Sequence, residues 1–471
     1  MAFLYNFSIV KQTFPDMLEV GKILPLYKAG AKDKIDNYRP ISNLPVFSKV
    51  FEKLTLIRLN SFVNKYSLLS ESQYGFRRGK NITQAAAKLT TLINKSYHNK
   101  YFSVCFFLDL RKAFDIVDHD ILLAKLYHMG IRGPFYEFLK SYLVGRKQYV
   151  QIDNHISDKI TISKGVPQGS ILGPLLFCLY INDIVSAVDC EVILFADDAA
   201  FFITATTLQQ LYAKINKLFI DLVKYLSNNK LVANINKSKL MLFSSRLCPN
   251  PEPLTFGGEV IEWVSEFKYL GLTLSNKMSY ATHIGNISTK VSQYIGVFYS
   301  INKIVPRHIL LLLYFSYVVP HLTLHIILWG AAPEYLINKL AIKQNKILRA
   351  ILNIGYTNGI PRTGTRYMYR VLNILNIKQL FTLQLFKFMV QLVNGELPYF
   401  YSIILQPNES NHGYLTRFGQ FRHPLLTCEI ERRGLSHQIL ILFDKTPLNF
   451  YENMSIKAAI SKYKRYLQYD N

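Results

Sequence analysis

Glu191-Val-Ile-Leu-Phe-Ala-Asp-Asp-Ala-Ala-Phe-Phe-Ile-Thr204 is the stretch on which the fold turns. Two apolar runs flank a tight turn, Ala196-Asp197-Asp198-Ala199, so the segment predicts a β-hairpin with two adjacent carboxylates at its tip. Asp is a poor strand former and like charges repel, so such a tip needs a stabiliser. A divalent cation is one; a solvated turn is the plain alternative. Upstream, Val104-Cys-Phe-Phe-Leu108 is a wholly apolar run that suits a buried strand, and it delivers Asp109 at its end. Alone, Asp109 reads as a cap or a ligand. Together with Asp197 and Asp198 it makes three carboxylates at strand ends. That is the oxygen-rich chemistry Mg²⁺ prefers, with nucleotide phosphates completing the shell.

Outward from this centre, Asp118 or Asp120 is placed to cap a helix carrying Leu122, Leu123, Leu126 and Tyr127, which Gly130 terminates. Residues 101–275 alternate short strand-like runs with amphipathic helices, as an α+β domain should. Residues 20–100 mix a turn-rich segment with helical ones. Residues 280–400 read as almost all helix, and 406–450 as irregular. Residues 455–468 form a basic amphipathic helix with Ile456, Ile460, Tyr463 and Leu467 on one face. Ile309 to Pro333 carries no Asp, Glu, Lys or Arg and approaches the length of a membrane span. Pro320, His321 and His325 interrupt it, which favours a buried helix pair broken at Pro320, and no membrane is expected.

Lys and Arg outnumber Asp and Glu by 55 to 31 over 471 residues, a surplus that a polyanionic partner explains. Net charge is +13 in residues 1–250, −1 in 251–300 and +12 in 301–471, so two basic regions flank a near-neutral stretch. Nucleic acid is the expected partner, with an anionic membrane surface as the alternative. Five scattered cysteines form no Cys-x-x-Cys pair, which argues against a zinc knuckle or disulfide framework and for a reducing intracellular setting. Met1 to Pro15 lacks the pattern of a secretory signal. In the last third, Lys339, Lys343, Lys346 and Arg349 recur at helical spacing opposite Leu340, Ile347 and Leu348, and Lys457, Lys462, Lys464 and Arg465 repeat the pattern. These rows suit either phosphate contacts or solubilising faces.

Seven short motifs carry a family resemblance. Val104 to His119 resembles the first palm motif of non-LTR, LINE-type, jockey-like retrotransposon reverse transcriptases, and Gly165-Val-Pro-Gln-Gly-Ser-Ile-Leu-Gly-Pro174 the second. Phe195-Ala-Asp-Asp198 resembles the third, Asn234-Ile-Asn-Lys-Ser238 the fourth and Phe267-Lys-Tyr-Leu-Gly271 the fifth. Asn37-Tyr-Arg-Pro-Ile-Ser42 and Gln73-Tyr-Gly-Phe-Arg77 are similar to the fingers motifs. Each piece is weak alone; seven in the family's order and spacing are specific.

The resemblance implies a right-hand polymerase. Fingers would occupy residues 1–100 and palm 101–275, a reverse transcriptase domain of about 20–275. A mostly helical thumb or connection would follow over 280–405, then a basic extension over 406–471. It implies two Mg²⁺ ions, with Mn²⁺ as a substitute, held by Asp109, Asp197 and Asp198, and Lys237 as proton donor to the leaving pyrophosphate. It places Lys28 and Arg39 over the triphosphate, Phe114 at the steric gate that excludes a ribose 2′-hydroxyl, and Gln168 and Gly169 in the nucleotide pocket. Arg77, Arg78 and Lys80, a basic cluster beside Gly79, would meet template phosphates, with a solvated loop as the plain alternative. The implied partners are an RNA template, a DNA primer and deoxynucleoside triphosphates, in a cytoplasmic ribonucleoprotein and the nucleus.

Phe195 stands where the family usually has Tyr; the ring is kept, so activity should survive. No endonuclease, RNase H or Cys-rich tail is visible, so a chain of this extent is expected not to nick its own genomic target. Two readings follow: an active polymerase, or a decayed or domesticated remnant that binds RNA. Random decay should have struck metal ligands too, and every motif is intact, which favours activity. An RNA-dependent RNA polymerase is disfavoured by Phe114.

Overall fold

The computed structural model describes residues 2–354, 365–405 and 421–469, apart from residues 247, 249, 422, 424, 425, 427, 452 and 453. Residues 406–420, expected to be irregular, lie outside the described residues.

The expected strand is present as Phe102–Leu108, and all seven of its residues are buried. Apart from Ser103 it is apolar, because both of its faces are covered. Val104, Phe106 and Leu108 join one core, with the helices Gly173–Ile181 and Leu208–Asn228. Cys105 and Phe107 join a second core, with the helix Ile82–His98 and the helices beyond residue 280. The strand lies inside a six-stranded sheet ordered Leu254–Phe256, Glu259–Trp263, Lys239–Phe243, Phe102–Leu108, Asp198–Ala205, Glu191–Phe195. Its antiparallel register with Asp198–Ala205 ends at Leu108 opposite Ala199. One further step sets Asp109 against Asp198.

A second sheet contains the hairpin Gly21–Tyr27 with Tyr38–Asn43, joined by Lys147–Ile152 and two short strands. The mixed α and β content expected for residues 20–275 is observed. Of the two candidate caps, Asp118 is the one used: its side chain accepts from Ile121 N at 3.1 Å at the start of the helix His119–His128. Gly130, at φ 92, follows the end of that helix.

Beyond residue 280 the described residues are mostly helical, with one correction in the apolar stretch. The break falls not at Pro320 but at Leu324-His325, where His325 takes a left-handed φ of 54. Pro320 instead sits in the first turn of Val319–Thr323, where its missing N–H costs little, after a widened π-helical turn at Tyr314–Val318. Among the described residues no helix is long and apolar enough to cross a membrane. A second correction concerns 421–450, expected to be irregular. It contains the helices Glu429–Arg433 and Leu435–Lys445, the latter driven by burial of Leu435, Ile439, Leu442 and Phe443 at helical spacing. The terminal helix Ile456–Tyr469 forms as expected, burying Ala459, Tyr463 and Leu467, and Tyr463 stacks on Phe386 at 3.9 Å.

The second core runs without interruption from Tyr74 and the Ile82–His98 helix to Leu467. Tyr401 is fully buried and its hydroxyl donates to Gln84 O, and Lys88 lies over the Phe400 ring at 5.4 Å. The helical half is therefore built onto the sheet rather than tethered to it. A fragment ending near residue 280 should lose cooperative thermal unfolding because one face of the sheet is stripped; a sharp, parent-like melting transition from that fragment would contradict the shared core.

Candidate active site

The two strands Glu191–Phe195 and Asp198–Ala205 pair through Phe195 and Asp198, leaving Ala196 and Asp197 as a two-residue loop. Such a loop requires positive φ, and Ala196 supplies it at 57. A third segment braces the hairpin. Leu194 N donates to Ser72 O at 2.9 Å, and Tyr74 N donates to Leu194 O at 2.8 Å. The buried Gln73 side chain accepts from Gly75 N at 2.8 Å and Ala196 N at 3.1 Å. A Cβ on Gly75 would fall 2.3 Å from Ala196 N, so only glycine lets this segment approach the turn. The Gln73-Tyr-Gly-Phe-Arg77 motif thus fixes the backbone that carries Asp197.

Asp109 is half-buried at the end of the central strand, beside the hairpin tip. The Asp197 carboxyl is raised above the usual range by burial and by the Asp109 charge, against the pull of Arg39 and Lys28. The Asp198 carboxyl is pushed up to about 6 by desolvation and then by the charges of Asp197 and Asp109, although it keeps an exposed surface. Three acids therefore crowd one place. Lys237 Nζ lies 3.9 Å from Asp109 Oδ2. Lys28 is held below its usual range first by the charge of Lys237, then by partial burial and by Arg39, so these three expected cations gather near Asp109 and Asp197. Arg39 is paired across the hairpin with Leu26, and Lys28 N extends that ladder by donating to Asn37 O at 2.9 Å. An exposed ion pair, Lys112 to Asp36 at 2.8 Å, joins the hairpin end to the segment following Asp109.

The loop from Gly165 is gripped on three sides. Its residue Gln168 donates to Asp115 Oδ1 at 2.9 Å and accepts from Ser42 N at 2.7 Å. Gly169, at φ 110, leaves no room for a Cβ, which would meet Ser42 O at 2.7 Å. Glu52, fully buried, accepts from Ile171 N and from Tyr142 OH, each at 2.7 Å, near the buried Arg146. Phe114 is half-buried and stacked on Phe177, with centroids 4.7 Å apart.

The expected template cations divide. Arg77 donates to Ser70 O at 2.6 Å and pairs with Glu71 at 3.1 Å, and Lys80 pairs with Glu71 at 2.9 Å. Both are turned into their own loop, with burial drawing the Lys80 ammonium down to about 8. Arg78 is exposed. Further along, Lys343 is used internally, donating to Ser288 O at 2.9 Å and to Ser292 Oγ, and Lys462 donates to Asn449 O at 2.6 Å; Lys339, Lys346, Lys457 and Arg465 are exposed.

Sequence reasoning assigned no role to Gln73, Glu52, Asn234 or Ser238. Gln73, Asn234 and Ser238 lay inside quoted motifs, which was the available signal. Glu52 gave only a charged residue on a helix face otherwise carrying Thr55, Leu59 and Val63.

Residues 28–274, more than half of the chain, match the family model described as reverse transcriptase (RNA-dependent DNA polymerase), and the chain belongs to that family. It is 30% identical over 357 residues to the probable RNA-directed DNA polymerase from transposon X-element of Drosophila melanogaster, covering 74% of this chain and 39% of that protein. It is 28% identical over 372 residues to the corresponding protein from transposon BS, covering 76% and 41%. With the RNA-directed DNA polymerase from mobile element jockey, identity is 29% over 371 residues, covering 74% and 39%. The last two are also from Drosophila melanogaster, and the expected likeness to non-LTR, jockey-like elements holds. The chain spans about two-fifths of the length of these relatives. Among solved structures, telomerase from Candida tropicalis with a fragment of telomeric RNA overlaps at TM-score 0.41 and 12% identity, over 84% of this chain and 65% of that one.

The donor set fits a divalent cation by its chemistry: hard oxygens, crowded and mutually repelling. Among the described residues no three His, Cys, Asp or Glu side chains are gathered closely enough to hold an ion unaided. An ion here would need further oxygens, such as phosphates. The repulsion has a testable sign. A folded-state pKa raised to about 6 means that the ionised Asp198 is disfavoured above that pH and relieved as pH falls toward its ordinary value of 3.8. Asp198→Asn should therefore raise the melting temperature in EDTA at pH about 7.5, with the gain vanishing near pH 4. A gain of the same size at both pH values would show that the acids are not in conflict.

Proposed function

We propose that this chain is the reverse transcriptase of a non-LTR retrotransposon, extending a DNA primer on an RNA template by two-metal-ion nucleotidyl transfer. The observation that carries the reading is the register that brings Asp109 to the Asp197-Asp198 turn, facing Lys28, Arg39 and Lys237. On this reading the six-stranded sheet is the palm, the Gly21–Tyr27 and Tyr38–Asn43 hairpin belongs to the fingers, and the helices beyond residue 280 form the thumb and its extension.

Asp109, Asp197 and Asp198 would hold two Mg²⁺ ions, or Mn²⁺, whose chemistry is to lower the pKa of the primer 3′-hydroxyl and neutralise the leaving pyrophosphate. The chain's own groups do the rest. Lys28 and Arg39 neutralise the triphosphate as it enters, and Lys237 Nζ gives a proton to the pyrophosphate as its bond to the α-phosphorus breaks. Gln168, oriented by Asp115, and Gly169 line the pocket for the base and sugar. The Phe114 ring, held by Phe177, excludes a ribose 2′-hydroxyl. Arg78, rather than Arg77 or Lys80, is the loop cation available to template phosphates, and Lys339 and Lys346 are available to the duplex.

Asp197→Asn tests the reading in a primer-extension assay on an RNA template. Synthesis should fall at least a hundredfold, about 2.7 kcal/mol in barrier, with RNA affinity unchanged. A variant within about tenfold of the parent, ~1.4 kcal/mol, removes Asp197 from the mechanism. Phe114→Val should raise ribonucleotide incorporation about tenfold or more while deoxynucleotide use changes little. Unaltered discrimination between the two sugars would place selection elsewhere.

A further inference from the structure

The turn Asn234–Ser238 closes a ring of hydrogen bonds around Asp109. Asp109 N donates to Ser238 Oγ at 3.1 Å, and Ser238 Oγ donates to Asn234 O at 2.9 Å. Asn234 N donates to Asp109 O at 2.8 Å. Asn234 Nδ2 then donates to Asp109 Oδ2 at 2.9 Å. The backbone of Asn234 is anchored further, its carbonyl accepting from Lys237 N at 3.1 Å and Ser238 N at 2.9 Å. Ser238 is fully buried, so its own hydroxyl is shielded from water, while Asp109 and Asn234 are half-buried. An ionised carboxylate only accepts, so the amide must turn its NH₂ toward Asp109; the assignment follows from the chemistry.

A carboxylate at a strand end is otherwise free to rotate about its terminal bond and offer either oxygen. The Asn234 amide ties down Oδ2 and leaves Oδ1 outside the ring. Ser238 and the Asn234 backbone fix where the Asp109 main chain stops being strand. We infer that Asn234 is a positioning residue: it sets the orientation of the Asp109 carboxylate and thereby the affinity of the acidic cluster for a divalent cation. This rests on the polymerase reading of the same three acids. Partners that orient a metal-binding side chain typically contribute 10- to 100-fold in metal affinity, about the effect to be expected here.

The test is a Mn²⁺ titration of the full chain in the presence of a deoxynucleoside triphosphate, which supplies the further oxygens, and without primer; it is followed by electron paramagnetic resonance and needs no turnover. Asn234→Ala and the isosteric Asn234→Leu should each weaken Mn²⁺ binding about tenfold or more. The three backbone and Ser238 bonds of the ring survive both changes, so melting temperature and RNA affinity should stay near parental. In an Asp109→Asn background, Asn234→Leu should cause no further loss, because its target oxygen has changed character; a purely structural role would still show its full effect there. Parental Mn²⁺ affinity in both single variants, or equal losses with and without Asp109, overturns the inference. Two controls separate the claims: if the parent chain extends no primer, the polymerase reading fails, and if Asp197→Asn still extends primers, the acids lose their part in it; if the parent is active and Asp197→Asn inactive while both Asn234 variants bind Mn²⁺ as the parent does, only the role of Asn234 fails.

Discussion

The arrangement depends on one strand pairing. Phe102–Leu108 runs antiparallel to Asp198–Ala205 with Leu108 opposite Ala199, so the first residue past the buried strand is forced against the hairpin tip. Three carboxylates are thereby crowded together, and the protein pays for that crowding with backbone contacts. Gln73 and Gly75 clamp the turn, and Asn234 and Ser238 clamp Asp109. None of these contacts neutralises charge; they hold the acids where repulsion would move them. On the proposed function a divalent cation would relieve that repulsion.

The cations opposite show the complementary tension. Lys28 and Arg39 come from one hairpin and Lys237 from a turn far along the chain, and the Lys28 ammonium is disfavoured chiefly by Lys237. Lys237 leans toward Asp109 at 3.9 Å. On the proposed function, a ligand with both characters, cations between the acids and phosphates among the bases, would relieve both sets of like charges. A metal–nucleotide complex has that composition.

Much of this was legible in sequence because the chemistry lies at the ends of short apolar runs. The all-apolar 104–108 run predicted a buried strand, and the Asp-Asp turn predicted a hairpin; both are present. What was not legible came from long-range packing. Arg77 and Lys80 read as free cations because nothing local says that Glu71 will be folded under both of them. Pro320 read as a helix break, yet a π-helical turn absorbs it and the chain turns at His325. Residues 421–450 read as irregular because Pro, Gly and Arg outweighed the apolar spacing from Leu435 to Phe443. The roles of Glu52 and Asn234 depend on partners 119 and 125 residues away, which no local window contains.

The central claim is that Asp109, Asp197 and Asp198 together hold the ions on which nucleotide addition depends. Anomalous scattering from Mn²⁺ tests it most directly, in crystals of the full chain with an RNA template, a dideoxy-terminated DNA primer and the matching deoxynucleoside triphosphate. The account predicts two peaks, each within bonding reach of these carboxylates and of the triphosphate. A bound nucleotide with no Mn²⁺ beside Asp109 and Asp197 would contradict it.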